Sequence, residues 1–325
     1  MATGVLERAG EGIYAAKKFY NRNKKSIDRK IFIFSFLALP IFLFCIFYIY
    51  VNIDSFTMAF KQNYTNDSGV LDEMWTFNNF KTIWEILSSS TGGVGILGEA
   101  FINTMLFNFV NFALILPVTT FICYFISKKI FGYRFFRAIF YLPCIIASSA
   151  LVALFKYSLQ DGGPLMVLFG EYGLFPSGYS YPMSSSPNAI ITILAYNFLF
   201  GLGGNIIVLG GAMRSVDPQM LEAGQIDGCN WISEFFYIIL PSIWPTISTI
   251  LILSVAGFLG ASGPILQFTE GANGTMTLSF YIFALVSGKG AITDYNLASA
   301  IGLCMTVISF PLALLVKRLL YGKEK

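Results

Sequence analysis

The sequence predicts an all-α, polytopic membrane protein with six transmembrane helices, and three observations carry that expectation. Of its 325 residues, 55% are hydrophobic and only 12% are charged, against about 25% charged in a soluble domain. Six uncharged stretches reach spanning length, residues 31–51, 100–127, 138–155, 188–213, 235–269 and 295–316. A helix needs about 20 residues to cross the hydrocarbon, so all but the third clear the threshold and the third just reaches it. None shows the apolar–polar alternation of a membrane strand. Lipid offers the backbone no hydrogen bonds, so the spans read as helices.

Taken in order, residues 1–30 form a basic tail with Arg8, Lys17, Lys18, Arg22, Lys24, Lys25, Arg29 and Lys30. It reads as an orientation signal lying on anionic lipid. The long apolar run behind it and the missing small-residue cleavage site distinguish it from a cleaved signal peptide. Residues 31–52 are the first transmembrane helix. Residues 53–99 are an extracellular loop whose Asn, Asp, Ser and Gly clusters suggest irregular structure. Five further helices fill residues 100–316. Between the third and fourth lies an outer loop, 156–187, with Gly162-Gly163-Pro164 and Ser184-Ser185-Ser186-Pro187. Residues 275–286 are apolar but too short to cross, and read as an interfacial or re-entrant helix on the outer side. Residues 317–325 are a C-terminal tail.

The basic residues set the orientation. With both termini cytoplasmic, 17 of the 21 Lys and Arg lie inside, and only Lys61, Lys81, Lys156 and Lys289 lie outside. A net charge of +3 excludes a basic nucleic-acid binder. The absence of histidine excludes imidazole catalysis, His-ligated metals and histidine proton relays. Cys45, Cys123, Cys144 and Cys304 sit in apolar stretches and Cys229 in a polar one, with no Cys-x-x-Cys pair, so no metal site or disulfide framework is indicated.

The spans contain no charge, which argues against ion-coupled transport through an intramembrane carboxylate. No Gly-rich phosphate loop with a following Lys-Ser/Thr occurs, so the chain itself does not hydrolyse ATP. If it pumps, a partner supplies the energy.

The loop between the fourth and fifth spans, residues 214–234, is the most informative stretch. Asp217 suits a helix N-cap and Pro218 the first helical position. Gly228 can take the left-handed turn that ends the helix, with Asn230 or Asp227 capping a second one. Met220, Leu221, Ala223 and Ile226 supply apolar contact suited to docking in another protein's groove.

Glu222-Ala223-Gly224, three residues, Gly228, nine residues, Ile238, one residue and Leu240-Pro241 resemble the cytoplasmic "EAA" signature of binding-protein-dependent ABC importer permeases. Asn103-Thr104 and Tyr141-Leu142-Pro143 support the likeness, which covers most of the chain. The run from Glu222 to Gly228 is most similar to the carbohydrate-uptake, maltose-type branch. Gly224 departs from the family's usual Ala. It lowers helix propensity by about 1 kcal/mol.

The resemblance implies the type I ABC importer permease fold in a bacterial cell membrane. It implies a second six-span permease subunit, two cytoplasmic ATPase subunits and an extracellular substrate-binding lipoprotein as partners. ATP and Mg would reside on the ATPase subunits, with no cofactor bound by this chain. It also implies that Glu222, Ala223, Gly224, Asp227, Gly228, Leu240 and Pro241 couple to the ATPase.

Sugars are held by aromatic faces and by side chains that both donate and accept hydrogen bonds. In the fourth span, Tyr196, Asn197 and Phe200 lie near the midpoint with Asn205 two turns beyond Asn197, while Gly203 and Gly204 permit close approach of a ligand or helix. In the fifth, Ser254, Phe258 and Ser262 share one helical face and Gln267 lies toward the outer end. Where the family's site is rich in Asn on this span, the chain has Gly257, Gly260 and Ala261. That departure leaves open a bulkier substrate, a site shifted to the fourth span, or contacts supplied by the partner permease. The reading is an alternating-access importer subunit for a carbohydrate, such as an oligosaccharide. Its rivals are an ion-coupled carrier, a membrane scaffold, and a permease for another solute such as glycerol phosphate.

Overall fold

The computed structural model describes residues 28–65, 71–88, 95–172, 182–288 and 293–322. The chain divides into two compact units, Met1–Met58 and Ala59–Lys325. The rest of the basic tail, residues 1–27, lies outside the described residues, as do Lys289, Lys323 and Lys325.

The first unit consists, among the described residues, of helix α1 (Asp28–Ala59), whose last residue falls in the second unit. Its 32 residues reach about 48 Å at 1.5 Å each, beyond the roughly 30 Å of hydrocarbon. The helix runs past residue 52, where the sequence suggests it ends. Asn52 Nδ2 donates to the Tyr48 carbonyl at 2.6 Å and Thr57 Oγ1 to that of Asp54 at 2.8 Å, so these polar side chains satisfy themselves on the helix.

The second unit begins with a departure from an irregular loop. Strands β1 (Lys61–Thr65) and β2 (Leu71–Trp75) pair antiparallel, Lys61 opposite Trp75 and Thr65 opposite Leu71. Lys61 Nζ meets Glu73 Oε2 at 2.7 Å across the ribbon. Helix α2 (Asn78–Ser88) follows, and the buried Asn79 donates to the carbonyls of Ala59 (3.0 Å) and Lys61 (2.8 Å), tying it to the ribbon's entry. Loop-forming residues thus take regular structure because one buried amide links the two elements.

Helices α3 (Ile96–Ser127), α7 (Asn188–Arg214), α9 (Trp231–Ala256) and α11 (Tyr295–Tyr321) are, with α1, the five described helices long and apolar enough to cross a membrane. The third predicted span is two helices, α4 (Tyr133–Ile145) and α5 (Ser148–Leu159), bent by 104°. Counted as one broken span it makes six. The break follows Pro143: Ile146 takes an extended backbone (ψ 140°) and Ala147 opens a new helix at Ser148-Ser149. Gly203 explains how α4 seats on α7, because a Cβ there would collide with Cys144 Sγ and the Phe140 carbonyl. The close approach anticipated at Gly203 is made by a helix. Helix α6 (Pro164–Glu171) lies in the loop that follows α5.

The fifth span also ends sooner than its composition suggests. Helix α9 stops at Ala256, and residues 257–277 form helical turns at Phe258–Gly260 and Ile265–Phe268 before α10 (Leu278–Ser287). Gly257, Gly260, Gly263 and Pro264 supply the breaks, and Gly263 takes φ +57°. Ser254, Phe258 and Ser262 therefore do not share a helical face. Helix α10 is the short apolar segment expected there, too short to cross.

Two proline-linked turns shape the long helices. Residues Asn111–Ile115 and Phe235–Ile239 are π-helical, and each run precedes a Leu-Pro pair, Leu116-Pro117 and Leu240-Pro241. A proline ring crowds the carbonyl four residues back, Ala113 or Tyr237, and the wider turn accommodates it within a continuous helix.

Irregular backbone between helices must find hydrogen bonds inside the protein. Asn103 Nδ2 on α3 donates to the carbonyls of Gly274 (2.9 Å) and Met276 (2.8 Å). Thr104 Oγ1 accepts from Leu278 N at 3.1 Å, and Asn108 Nδ2 donates to the Phe258 carbonyl at 2.7 Å. Lys156 Nζ on α5 donates to the carbonyls of Gln267 (3.2 Å) and Phe268 (3.0 Å). Replacing Asn103 by Leu strips two carbonyls of their donor, so the folded state should lose about 1–3 kcal/mol. Thermal melting of the detergent-solubilised protein checks this, and an unchanged midpoint for Asn103→Leu would refute the assignment.

Candidate functional site

The elbow after α7 is built as its sequence suggests, with one exchange of roles. Asp217 Oδ1 accepts from Gln219 N at 2.9 Å and starts α8 (Pro218–Ile226), with Pro218 in its first turn. Gly228 takes φ +79° and turns the chain. Asn230 Oδ1 accepts from Ser233 N at 2.9 Å and starts α9. Asp227 is the C-cap of α8, not a cap for α9. A Cβ at Gly228 would be forced into the left-handed region, at a cost of roughly 1 kcal/mol or more.

Glu222, Ala223 and Asp227 are exposed on α8, as are Met220 and Ile226, the last 86% exposed. Leu221 instead packs against the core formed by α3, α7 and α9. Gly224 is buried beneath α9, where a Cβ would come within 2.5 Å of Ile238 Cδ1. The departure from Ala therefore matches the Ile238 tip that fills the space. Leu240 is half-buried against the same core and Pro241 is exposed.

The structure adds residues that the loop alone does not reveal. Glu234, only 5% exposed, is ion-paired with Lys128 at the end of α3. The Tyr124 hydroxyl donates to the Trp231 carbonyl at 3.2 Å, and Phe121 stacks on Phe235 with centroids 4.4 Å apart. Phe125 lies 5.8 Å from the Trp231 ring. The second arm of the elbow is thereby bolted to α3 while α8 presents its other face outward. An acidic residue in the first turn after an N-cap, with a cation closing an earlier span, is the signal that could have found this pair.

The seven residues singled out for substrate contact fall in separate places. Asn205 and Ser254 line one groove of about 550 Å³ with Pro245, Thr246, Thr249 and Tyr321. The Thr249 and Tyr321 hydroxyls are 3.2 Å apart, and the latter also reaches the Pro245 carbonyl at 3.2 Å. Among the described residues, no charged side chain lines it. Tyr196 is buried and packs with Phe200 (4.8 Å), Phe268 (5.0 Å) and Phe155 (5.3 Å). Asn197 is half-buried on the same helix. Phe258 packs in the cluster around Leu97, Leu259 and Leu278. Gln267 is exposed, its carbonyl held by Lys156. Thr249 and Tyr321 are groove residues that sequence reasoning passed over; a tyrosine after the basic Lys317-Arg318 pair reads as tail rather than lining.

Broken and continuous apolar helices around an exposed, doubly capped elbow define a multi-pass membrane protein. The chain belongs to the family described as "Binding-protein-dependent transport system inner membrane component", whose profile matches residues 127–321. It is similar to a probable ABC transporter permease protein of Mycoplasma pneumoniae, 27% identical over 242 residues, 70% of this chain and 68% of that one. It is similar to the maltose/maltodextrin transport system permease protein MalF of Vibrio vulnificus, 25% identical over 251 residues, 73% of this chain but 46% of that one. Its fold matches a crystal structure of a bacterial ABC transporter involved in the import of the acidic polysaccharide alginate. The TM-score is 0.72 at 22% identity, covering 94% of this chain and 100% of that one.

A buried carboxylate left without its cation is costly, about 3–5 kcal/mol in a fully buried pair. Lys128 keeps 29% of its side chain exposed, so Lys128→Met should fall below that range. The double variant Lys128→Met/Glu234→Leu should recover much of the loss. A double-mutant cycle on melting midpoints reads the coupling, and strictly additive losses would refute it.

Proposed function

We propose that this chain is the permease subunit of an ATP-driven importer that moves a carbohydrate of oligosaccharide size by alternating access. The observation that carries the reading is the elbow: α8 is capped at both ends, anchored through α9 to α3, and exposes Glu222, Met220 and Ile226 on its free face. Such a surface suits a groove on a cytoplasmic ATPase, with apolar side chains filling it and Glu222 offered to basic or amide groups. Membership of the family and the similarity to a maltose/maltodextrin permease support this coupling.

The partners proposed are a second six-span permease, two ATPase subunits that bind ATP and Mg, and an extracellular substrate-binding lipoprotein. A structural relative has been solved with an oligosaccharide-bound periplasmic protein, which is consistent with that arrangement. Closure of the ATPase pair would press on α8, and α9 would carry the movement to α3 and the groove. Residues coupling to the ATPase would be Glu222, Ala223, Gly224, Asp227, Gly228, Leu240 and Pro241.

The groove between α7 and α9 offers the amide of Asn205 and the hydroxyls of Thr249, Ser254 and Tyr321 without a charge. That donor set suits the hydroxyls of an uncharged sugar better than a carboxylated or phosphorylated one.

Reconstitution of the assembled transporter in proteoliposomes tests the proposal. Glu222→Arg should abolish both co-purification of the ATPase and ATP-dependent sugar uptake, and intact association in that variant would overturn the coupling role. Asn205→Leu and Ser254→Leu should leave ATPase association unchanged. Each should raise the half-saturating sugar concentration about five- to tenfold through one lost hydrogen bond.

A further inference from the structure

A second cavity, of about 380 Å³, opens at the elbow end of the helices, where the ends of α3 and α7 meet α4. Three basic side chains from three separate segments line it: Lys129 just after α3, Arg137 on α4 and Arg214 closing α7. Among the described residues, no Asp or Glu lines it. The ion pairs among the described residues involve Lys61, Lys81 and Lys128, so these three cations have no carboxylate partner there. Convergence without neutralisation raises the self-energy of the cluster unless an anion enters it.

The details favour a particular anion. Lys129 holds φ +53° in the left-handed turn that ends α3, its N–H donating to the Ile126 carbonyl at 3.2 Å. Arg137 lies over the Tyr141 ring, 5.4 Å from its centroid, which orients the guanidinium. The Tyr133 and Tyr141 hydroxyls add donors on the α4 side. The remaining wall combines the apolar Cys123, Ile126 and Ile206 with Ser127 and Gly210. A cavity with a cationic floor, hydroxyl donors and an apolar flank matches a phosphate joined to a glyceryl and acyl group.

We infer that this cavity binds the phosphate of an anionic phospholipid headgroup, with Arg137, Arg214 and Lys129 as its ligands. The shared chemistry is a phosphate oxyanion, and the apolar wall selects the lipid over free phosphate. Its position beside the Lys128–Glu234 pair would let membrane composition bias the seating of the elbow. The site is distinct from the uncharged groove between α7 and α9 and does not depend on the sugar reading.

The test uses the full-length chain in nanodiscs of phosphatidylcholine doped with phosphatidylglycerol, with retained lipid counted by native mass spectrometry. The wild type should keep phosphatidylglycerol selectively. Arg137→Gln/Arg214→Gln should weaken retention about 25- to 30-fold, at about fivefold per charge. The charge-preserving Arg137→Lys/Arg214→Lys protein should keep most of it, which separates loss of the site from misfolding. Lys317→Gln/Arg318→Gln, outside the cavity, should behave as wild type. Equal retention by the cavity variant and the wild type would overturn the inference. Displacement of the lipid by millimolar inorganic phosphate would overturn the lipid assignment in favour of a soluble ligand. In the assembled transporter, loss of the ATPase subunits by a cavity variant that keeps its lipid would make the cavity a protein-docking surface, and the inference would fall.

Discussion

A backbone that leaves the helical pattern inside a membrane must find its hydrogen-bond partners in the protein, and that requirement organises this fold. The fifth span stops at Ala256, and some twenty residues of turns follow before the next helix. Their carbonyls and amides would be unsupported in lipid. Asn103, Thr104 and Asn108, spaced to face one side of α3, supply the partners for Phe258, Gly274, Met276 and Leu278, while Lys156 holds the turn at Gln267 and Phe268. Helix α3 is therefore not merely one span among several. The irregular segment can exist because α3 carries amides and a hydroxyl where a lipid-facing helix would carry leucine.

The same helix governs the opposite end. Its last turns offer Phe121, Tyr124 and Lys128 to the start of α9, using a ring stack, a hydroxyl-to-carbonyl bond and an ion pair. A surface ion pair contributes little, but this carboxylate is buried, and a buried charge is tolerated only with its partner in place. The elbow is consequently rigid where it joins the bundle and free where α8 faces outward. The proposed lever needs that asymmetry, since a flexible joint at Trp231 would dissipate any push delivered to Glu222.

What the sequence discloses follows the range over which each feature acts. The elbow's caps were legible because Asp217, Pro218, Gly228 and Asn230 act on backbone groups within three residues of themselves. The number of apolar segments was legible because hydropathy is summed over a window. The break at Ile146 was less so, since Pro143 sits in a stretch as apolar as its neighbours and a proline can be absorbed in a continuous helix, as Pro117 and Pro241 are. The end of α9 was hidden for the same reason: Gly257, Gly260 and Gly263 leave the segment apolar while removing its helical tendency. Pairings such as Asn103 with Gly274, or Asn108 with Phe258, join residues more than a hundred apart, and no local pattern encodes them.

Counting charges and locating them lead to different physics. Counted, Lys129, Arg137 and Arg214 are three of the many basic residues that would bias one face of the protein toward the cytoplasm. Located, they converge on a cavity at the end of α3, where Lys129 follows Lys128 of the pair that holds the elbow, with no carboxylate among them. Orientation alone requires only that such residues lie on the correct side, and scattered lysines would serve it equally well. Placing two of them on the ends of α3 and α7 and orienting the third over Tyr141 concentrates repulsion that scattering would avoid. An arrangement that is unfavourable when empty and favourable with an anion inside is the electrostatic form of a binding site. Here it lies against the helix on which both the irregular outer segment and the elbow depend.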